Sequence, residues 1–381
     1  GGVYQNLGLP DSPLWAYSNL ARLQTTNFRL HQEVGRLQAH LGQLDEAIES
    51  YRHSISVHPG AENILAYSGL CALYLKQGQP DSAIAVAEAG LQVEPVNIVL
   101  NRLLTNIYVS IDSLPQAATH ARRVAEAAPL DRFAARRLGS IYYTLDSVRL
   151  ADSVFTWLVA SGERHAANHW FLGRIATRLE QPERAVEQFT HLVMLADTVA
   201  ESWLDLGFAY RQLDSLDGEI KTYQSGLHSM VDEDSAIRLL FALGAAHERD
   251  GNIAKAVTTF EEIIEKRPSH DPSLNYLGYL LADRGERLEY AKKLIEKALA
   301  ISSENAAYVD SYGWVLFRMG QYKEAVKHLE KAVSLDNDPV IFDHLGDAYQ
   351  ATGKLDEARK WWQKALDRQP NNAVIQRKLG N

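Results

Sequence analysis

Residues 308–333 read YVDSYGWVLFRMGQYKEAVKHLEKAV and predict two amphipathic helices joined near Gly320. Apolar residues recur three and four positions apart in each half, and this spacing places them on one face of a helix. Gly313 lies inside the first predicted helix, where a glycine costs about 1 kcal/mol relative to alanine. The chain therefore needs a packing reason for a glycine at this position.

The glycine recurs along the chain, at steps of 33 to 37 residues from residue 139 onward. In most repeats an alanine follows 12 residues later, as Ala325 follows Gly313. Two small residues at fixed places, one in each helix, let the backbones of a helix pair approach closely, so packing offsets the cost of the glycine. The ten positions of this repeat are Gly35, Cys71, Thr105, Gly139, Gly173, Gly207, Gly244, Gly278, Gly313 and Gly346.

Composition and charge exclude several classes of partner. The net charge is −9, which disfavours nonspecific binding to nucleic acid or to an anionic membrane surface. No run of residues approaches the roughly 18 apolar residues of a membrane-spanning helix. Residues 1–190 hold 16 Lys and Arg against 18 Asp and Glu, and residues 191–381 hold 23 against 30, so the net charges are −2 and −7. We expect the two halves to bind different partner surfaces.

The chain lacks the residue patterns of common active sites. It has no phosphate-binding glycine loop, no H-E-x-x-H and no G-x-S-x-G. His165 and His169 are four residues apart, but no suitable third metal ligand lies near them, so we interpret them as ordinary polar residues. Cys71 is the only cysteine, replaces a packing glycine and is expected to be buried. We therefore expect no enzyme activity, no cofactor and no metal.

The repeat has the pattern L-G-x-x-Y in its first helix, A-x-x-x-F in its second, and a proline at its end, as at Pro370. With these features residues 28–372 resemble ten repeats of the tetratricopeptide repeat family. The resemblance implies an all-α, right-handed superhelical solenoid. Its expected divisions are an extension or capping helix at 1–27, repeats one to six at 28–235, repeats seven to ten at 236–372, and the start of a capping helix or truncated repeat at 373–381.

The family resemblance also implies a binding groove lined by the first helices, with contacts at positions 2, 5, 9, 12 and 13 of each repeat. Repeat six contributes Glu201, Phe208 and Arg211. In repeats three to five these positions form an arginine band of Arg102, Asn106, Arg136, Arg174 and Arg178. In repeats eight to ten they form an acidic and aromatic wall of Asn275, Tyr279, Asp310, Trp314, Phe317, Asp343 and Asp347. We expect the Trp314 indole to be exposed and to anchor a partner, and the alternative is a tryptophan packed against the neighbouring repeat. For the arginine band, the alternative to an anion or acidic-partner site is a solvated surface that stabilises the helices.

Several turns and one packing position depart from the family pattern. Asp112, Asp146 and Asp214 stand in turns where the family favours glycine, and aspartate tolerates the left-handed conformation better than most residues. Glu219 stands where the small alanine is expected. A longer connection also precedes repeat seven, so we expect the array to bend or loosen over residues 214–236.

The last three repeats, residues 274–366, are similar to the C-terminal part of bacterial tetratricopeptide proteins, many of them periplasmic lipoproteins. The segments LGYLLAD, DSYGWVLF and DPVIFDHLGDAY carry this resemblance. It implies a bacterial envelope protein, in one subgroup an adaptor that delivers substrates to a carboxyl-terminal processing protease. Our hypothesis is a scaffold that binds a partner protein or peptide in its groove. The alternatives are a self-assembling scaffold and the regulatory arm of a longer enzyme.

Overall fold

Helices are the regular secondary structure of the part of the chain that the structure describes. The structure is a computed structural model that describes residues 13–380, and these residues form 22 α-helices, a short 3₁₀ helix at Ala61–Asn63 and no β-strand. The expected all-α repeat fold is confirmed. The chain divides into two compact units between Leu195 and Ala196. We call residues 13–195 unit 1 and residues 196–380 unit 2.

Unit 1 contains eleven α-helices in the described residues. A single helix, α1, packs against α2, and the helices from α2 onward form five pairs. The helices are α1 Pro13–Leu23, α2 Phe28–His40, α3 Leu44–Val57, α4 Ile64–Lys76, α5 Pro80–Val93, α6 Ile98–Ser110, α7 Leu114–Ala127, α8 Arg132–Thr144, α9 Val148–Ala160, α10 Ala166–Arg178 and α11 Pro182–Leu195.

Unit 2 contains the other eleven helices, which form five pairs and end with a short helix, α22, that packs against α21. The helices are α12 Ala200–Gln212, α13 Leu216–Ser229, α14 Glu233–Arg249, α15 Ile253–Lys266, α16 Asp271–Arg284, α17 Leu288–Ile301, α18 Ala306–Arg318, α19 Tyr322–Leu335, α20 Pro339–Ala351, α21 Leu355–Arg368 and α22 Ala373–Leu379.

Each repeat is a pair of helices packed along each other. Short connections join the two helices of a pair, so they run in opposite directions. Within each unit the first helices of neighbouring repeats also contact each other, as α4 contacts α6 in unit 1, and as α16 contacts α18 and α18 contacts α20 in unit 2. The first helices therefore lie side by side, and their outward side chains share one surface, which we call the first-helix face.

The glycines of the repeat make room for a large side chain of the second helix. A Cβ atom placed on Gly313 would lie 2.6 Å from Cγ of Leu329, and one on Gly346 would lie 2.4 Å from Cδ1 of Trp362. Ala325, on the facing side of the pair, has no exposed surface. The packing reason expected for Gly313 is thus confirmed, because the van der Waals contacts of Leu329 occupy the space that a methyl group would need.

The aspartate turns adopt the backbone conformation that the sequence predicted. Asp112, Asp146 and Asp214 have φ angles of 57°, 56° and 54°, in the left-handed region. Glu180 and Arg287 also have positive φ, at 55° and 49°, although neither residue type favours it. The helix pairs on either side therefore impose the geometry of the turn. The type of side chain only changes the conformational energy of adopting it.

The two ends of the array carry single helices. Helix α1 lies within the predicted N-terminal extension, of which residues 1–12 are outside the described residues. Helix α22 buries Ile375 against the last pair, and Asn381 is outside the described residues. That α1 and α22 act as caps stays a prediction. Between residues 13 and 380, no helix combines the length and the apolar character that a membrane crossing requires.

Candidate partner-binding surfaces

The Trp314 indole is buried, so our expectation that it is exposed was wrong. Only 8% of its surface is accessible. Its ring stacks between Phe317 and His344, with centroid distances of 4.8 and 4.1 Å, and its N–H donates to Oδ1 of Asp283 at 3.3 Å. Position 9 of a repeat points toward the next first helix as well as outward. A large ring there is covered by that neighbouring helix, which sequence periodicity alone does not reveal.

Asp310 is buried together with the histidine of the next repeat. Nδ1 of His344 lies 3.0 Å from both carboxylate oxygens of Asp310, and each side chain is less than one tenth exposed. Burial by itself would lower the pKa of His344. The carboxylates of Asp310, Asp343 and Asp347 outweigh that effect, so the pKa lies above its usual value. Asp310 is therefore paired with His344 of the next repeat.

Asp343 and Asp347 are bridged by a lysine of α22. Nζ of Lys378 lies 2.7 Å from both carboxylates, and the Trp362 indole donates to Oδ1 of Asp347 at 3.0 Å. Burial raises the pKa of Asp347, while the ammonium of Lys378 opposes that rise. Asp343 and Asp347 of the acidic wall are thus already paired with Lys378 of the same chain.

A cleft remains open beside these paired aspartates. Its volume is about 390 Å³, and Asn275, Tyr276, Tyr279 and Asp310 line it together with the turn at residues 336–341. The Asn275 carboxamide makes no hydrogen bond to another described residue, and its Oδ1 atom is buried. Burial is the main cause that raises the pKa of Tyr279, and nearby aspartates add to it. Of the predicted wall, the structure brings Asn275, Tyr279 and Asp310 together around this cleft.

The arginine band in unit 1 is largely engaged by other groups of the chain. Arg102 pairs with Asp131, and Arg136 pairs with Glu163. Arg178 lies 3.1 Å from Asp146 and 4.1 Å from the centroid of the Tyr143 ring, and Arg174 lies 5.9 Å from that of Trp170. These contacts give the predicted arginines a structural role. Whether they also bind a partner stays a prediction.

Arg137 is an arginine that the sequence analysis did not select. It lines a small pocket with Arg102, Asn106 and Phe133, between α6 and α8. Its Nε atom is buried without an acceptor, and no carboxylate of the described residues lies within 4 Å of its guanidinium. Its position next to Arg136, outside the five groove positions used for prediction, explains the omission.

An apolar row on the first-helix face of unit 1 was also missed. Leu65, Val99 and Phe133 occupy the same position in three consecutive first helices and are 65%, 52% and 70% exposed. The signal was present in the sequence, since the three residues are spaced by 34 and stand at position 2 of their repeats. The prediction selected polar, charged and aromatic residues instead.

In repeat six the predicted groove residues contact each other and their neighbours. Glu201 pairs with Arg238 of the next first helix, and the guanidinium of Arg211 lies 4.9 Å from the centroid of the Phe208 ring. These are exposed or half-buried contacts, so they contribute little to stability. The residues remain available as a mixed polar and aromatic surface.

The residues considered for metal binding or nucleophilic chemistry form hydrogen bonds within the fold or are buried in it. His165 accepts a hydrogen bond from the backbone N–H of Ala167 at the start of α10, and His169 is buried beside Gln188. Cys71 is buried as expected, and burial raises the pKa of its thiol to about 11. Across residues 13–380, no three His, Cys, Asp or Glu side chains group closely enough to hold a metal ion.

Comparisons with known proteins agree with this architecture. Two family models described as Tetratricopeptide repeat match residues 38–107 and residues 198–371. A TPR repeat-containing protein of Pseudomonas aeruginosa is 25% identical over 212 residues, which cover 48% of this chain and 36% of that protein. The aspartyl/asparaginyl beta-hydroxylase of Homo sapiens is 28% identical over 187 residues, which cover 46% of this chain and 24% of the hydroxylase.

Among solved structures, the Naa15/Naa10 complex bound to HypK-THB contains a chain that superposes with a TM-score of 0.49 at 16% identity, over 96% of this chain and 62% of that one. The matched part of this chain spans about a third or less of the two curated relatives. One family model lies within unit 1 and the other within unit 2. Each of the two units thus contains a segment that a Tetratricopeptide repeat model matches.

Proposed function

We propose that the protein is a non-enzymatic scaffold that binds a partner protein through the first-helix face of unit 1. The observation that supports this proposal is the apolar row of Leu65, Val99 and Phe133. Apolar side chains that share one exposed surface are a common mark of protein interaction sites. A partner segment with apolar side chains would cover the row and remove it from water, which contributes favourable free energy in proportion to the area buried.

Selection from a displayed library of natural protein fragments, followed by binding titrations with the enriched peptides, tests this proposal. The test variant replaces Leu65, Val99 and Phe133 by serine. The matched control replaces Val231, Ile301 and Leu355 of unit 2 by serine as well, because these are also exposed apolar residues. We expect the control to bind like the unmodified chain and the test variant to bind at least about tenfold more weakly. No enriched peptides, or equal binding by both variants, would contradict the proposal.

We also propose a narrower role, as an adaptor in a bacterial envelope that delivers substrates to a carboxyl-terminal processing protease. The similarity of residues 274–366 to bacterial envelope proteins of this kind supports it. The test mixes the chain with such a protease and a cell-wall hydrolase and follows co-elution and the cleavage rate. We expect co-elution and faster cleavage. If neither occurs, the narrower role is wrong, and the scaffold proposal still stands on its own test.

Self-assembly is the main alternative to a partner of different sequence. The apolar row would then be covered by a second copy of the chain. Sedimentation velocity at several concentrations separates the two cases. A mass that exceeds one chain and rises with concentration, and that returns to one chain in the triple serine variant, would favour self-assembly.

A further inference from the structure

We propose that the open cleft in unit 2 binds the guanidinium group of an arginine on a partner protein. The cleft lies between α16, α18 and the start of α20, and its lining contains three carboxylates and no lysine or arginine. This site is separate from the apolar row of unit 1 and has a different chemistry. The inference therefore goes beyond the proposed function and can fail without it.

The carboxylates at the rim of the cleft have no cationic partner in the chain. Asp336 accepts the backbone N–H of Asn337 at 2.6 Å, and Asp338 accepts that of Val340 at 2.7 Å. Neither aspartate lies within 4 Å of a Lys, Arg or His side-chain nitrogen of the described residues. Both residues are exposed. They leave a negative potential at the mouth of the cleft, which attracts a cation.

Other carboxylates near the cleft are already paired with basic side chains of the chain. Asp343 and Asp347 lie on the same helix, α20, and receive the ammonium of Lys378 at 2.7 Å. Asp310 is likewise satisfied by His344 at 3.0 Å. On this face, therefore, the more deeply placed carboxylates are paired within the chain, and Asp336 and Asp338 are the ones left for an external cation.

The inner part of the cleft favours a planar donor with several N–H groups. Asn275 lines the cleft, and its Oδ1 atom accepts no hydrogen bond from the described residues, so it is an acceptor that an N–H donor could satisfy. The rings of Tyr276 and Tyr279 form an aromatic wall. A guanidinium has five N–H donors in one plane and stacks on aromatic rings, whereas an ammonium is a compact point charge. The lining thus fits arginine better than lysine.

Nuclear magnetic resonance titration of the full chain with N-acetyl-arginine methylamide tests the inference. The resonances to follow are the side-chain amide of Asn275 and the ring of Tyr279. N-acetyl-lysine methylamide and the uncharged N-acetyl-citrulline methylamide are the control probes. We expect saturable shifts with the arginine probe at both residues, weaker binding of the lysine probe, and no saturable shift with the citrulline probe.

Two variants remove the charge at the rim while keeping the fold. Asp338→Ser keeps a side-chain acceptor at the start of α20, and Asp336→Asn keeps the size of its side chain. We expect the double variant to bind the arginine probe roughly tenfold more weakly. Asp356→Asn, at an exposed site on α21, is the matched control and is expected to bind normally.

Three results would overturn the inference. They are equal binding of the arginine and citrulline probes, equal binding of the arginine and lysine probes, and unchanged arginine binding in the double variant. If the double variant does not fold, as judged by its circular dichroism, Tyr279→Leu and Asn275→Ala take its place. Unchanged binding in both of these variants would then contradict the assignment of the site to the cleft.

Discussion

The carboxylate of Asp310 and the imidazole of His344 form an ion pair across two neighbouring repeats, with 3.0 Å between Nδ1 and each oxygen. The His344 ring also stacks on the Trp314 indole. One histidine thus links the first helices of repeats nine and ten by charge and by ring contact. Asp343, Asp347 and Lys378 are the other charged groups near it.

This pair makes the stability of unit 2 depend on pH. Because the folded pKa of His344 is raised, its contribution is fully present below the unfolded value near 6.5 and is lost as the pH rises through the folded pKa. We expect the difference in unfolding free energy between the unmodified chain and His344→Gln to shrink between pH 6 and pH 9. Urea titrations at several pH values measure it, and Asp310→Asn should lower the His344 pKa seen by nuclear magnetic resonance.

A difference that stays constant over this range would show that His344 acts only by packing. His58, which is partly buried in unit 1 and stacks on Phe28, offers a control histidine outside the ion pair. His58→Gln is expected to leave the pH dependence of unit 2 unchanged.

Gly313→Ala is expected to destabilise unit 2 by roughly 1–3 kcal/mol, because the added methyl group would overlap Leu329. Helix propensity alone predicts the opposite sign, a gain of about 1 kcal/mol. The sign of the change therefore decides between the two effects. Denaturant unfolding measures it, and adding Leu329→Ala should make the glycine replacement less costly. A more stable Gly313→Ala chain would refute the close packing.

Arg249→Met is expected to cost about 3–5 kcal/mol, because it leaves the carboxylate of Glu219 buried without a counter-charge. Glu219 has no exposed surface, and its Oε1 atom accepts from Arg249 at 2.6 Å and from the Tyr223 hydroxyl at 3.2 Å. Glu219→Ala in the same chain should restore much of the loss, since alanine occupies this position in most repeats. A double variant that is less stable than Arg249→Met would contradict this account.

The amides of residues 214–236 are expected to exchange hydrogen faster than those of residues 271–335. The connection there contains Val231, which is 85% exposed, and the core beside it contains the Glu219 pair in place of an alanine contact. A repeat array opens first where the contact between neighbouring repeats is weakest. Hydrogen exchange read by mass spectrometry measures this. Equal protection of the two segments would show that the junction is as stable as the rest of unit 2.

Much of the fold could be predicted because its main rules are local. The period of the small residues defined ten helix pairs, and the burial of Ala325 and the contact between Gly313 and Leu329 bear out its physical reason. The left-handed turns at Asp112, Asp146 and Asp214 were also predicted, because aspartate tolerates this conformation better than most residues. Glu219 could be recognised as an exception, but its partners Arg249 and Tyr223 could not be named.

The groove surface was predicted less well, because position in a repeat tells which helix face a side chain lies on and not what covers it. Trp314 was expected to be exposed, and it is buried between Phe317 and His344. Leu65, Val99 and Phe133 were overlooked, and they are exposed.

The sequence by itself determined the helix pairs, their period and the small residues at their contacts, since each of these follows from spacing along one chain. Only the tertiary structure decided which charged side chains pair with each other inside the molecule. Asp310 meets His344, and Asp343 and Asp347 meet Lys378, across separations of 31 to 35 residues. Such pairs depend on the register between neighbouring helices, and that register is set by packing of the whole unit.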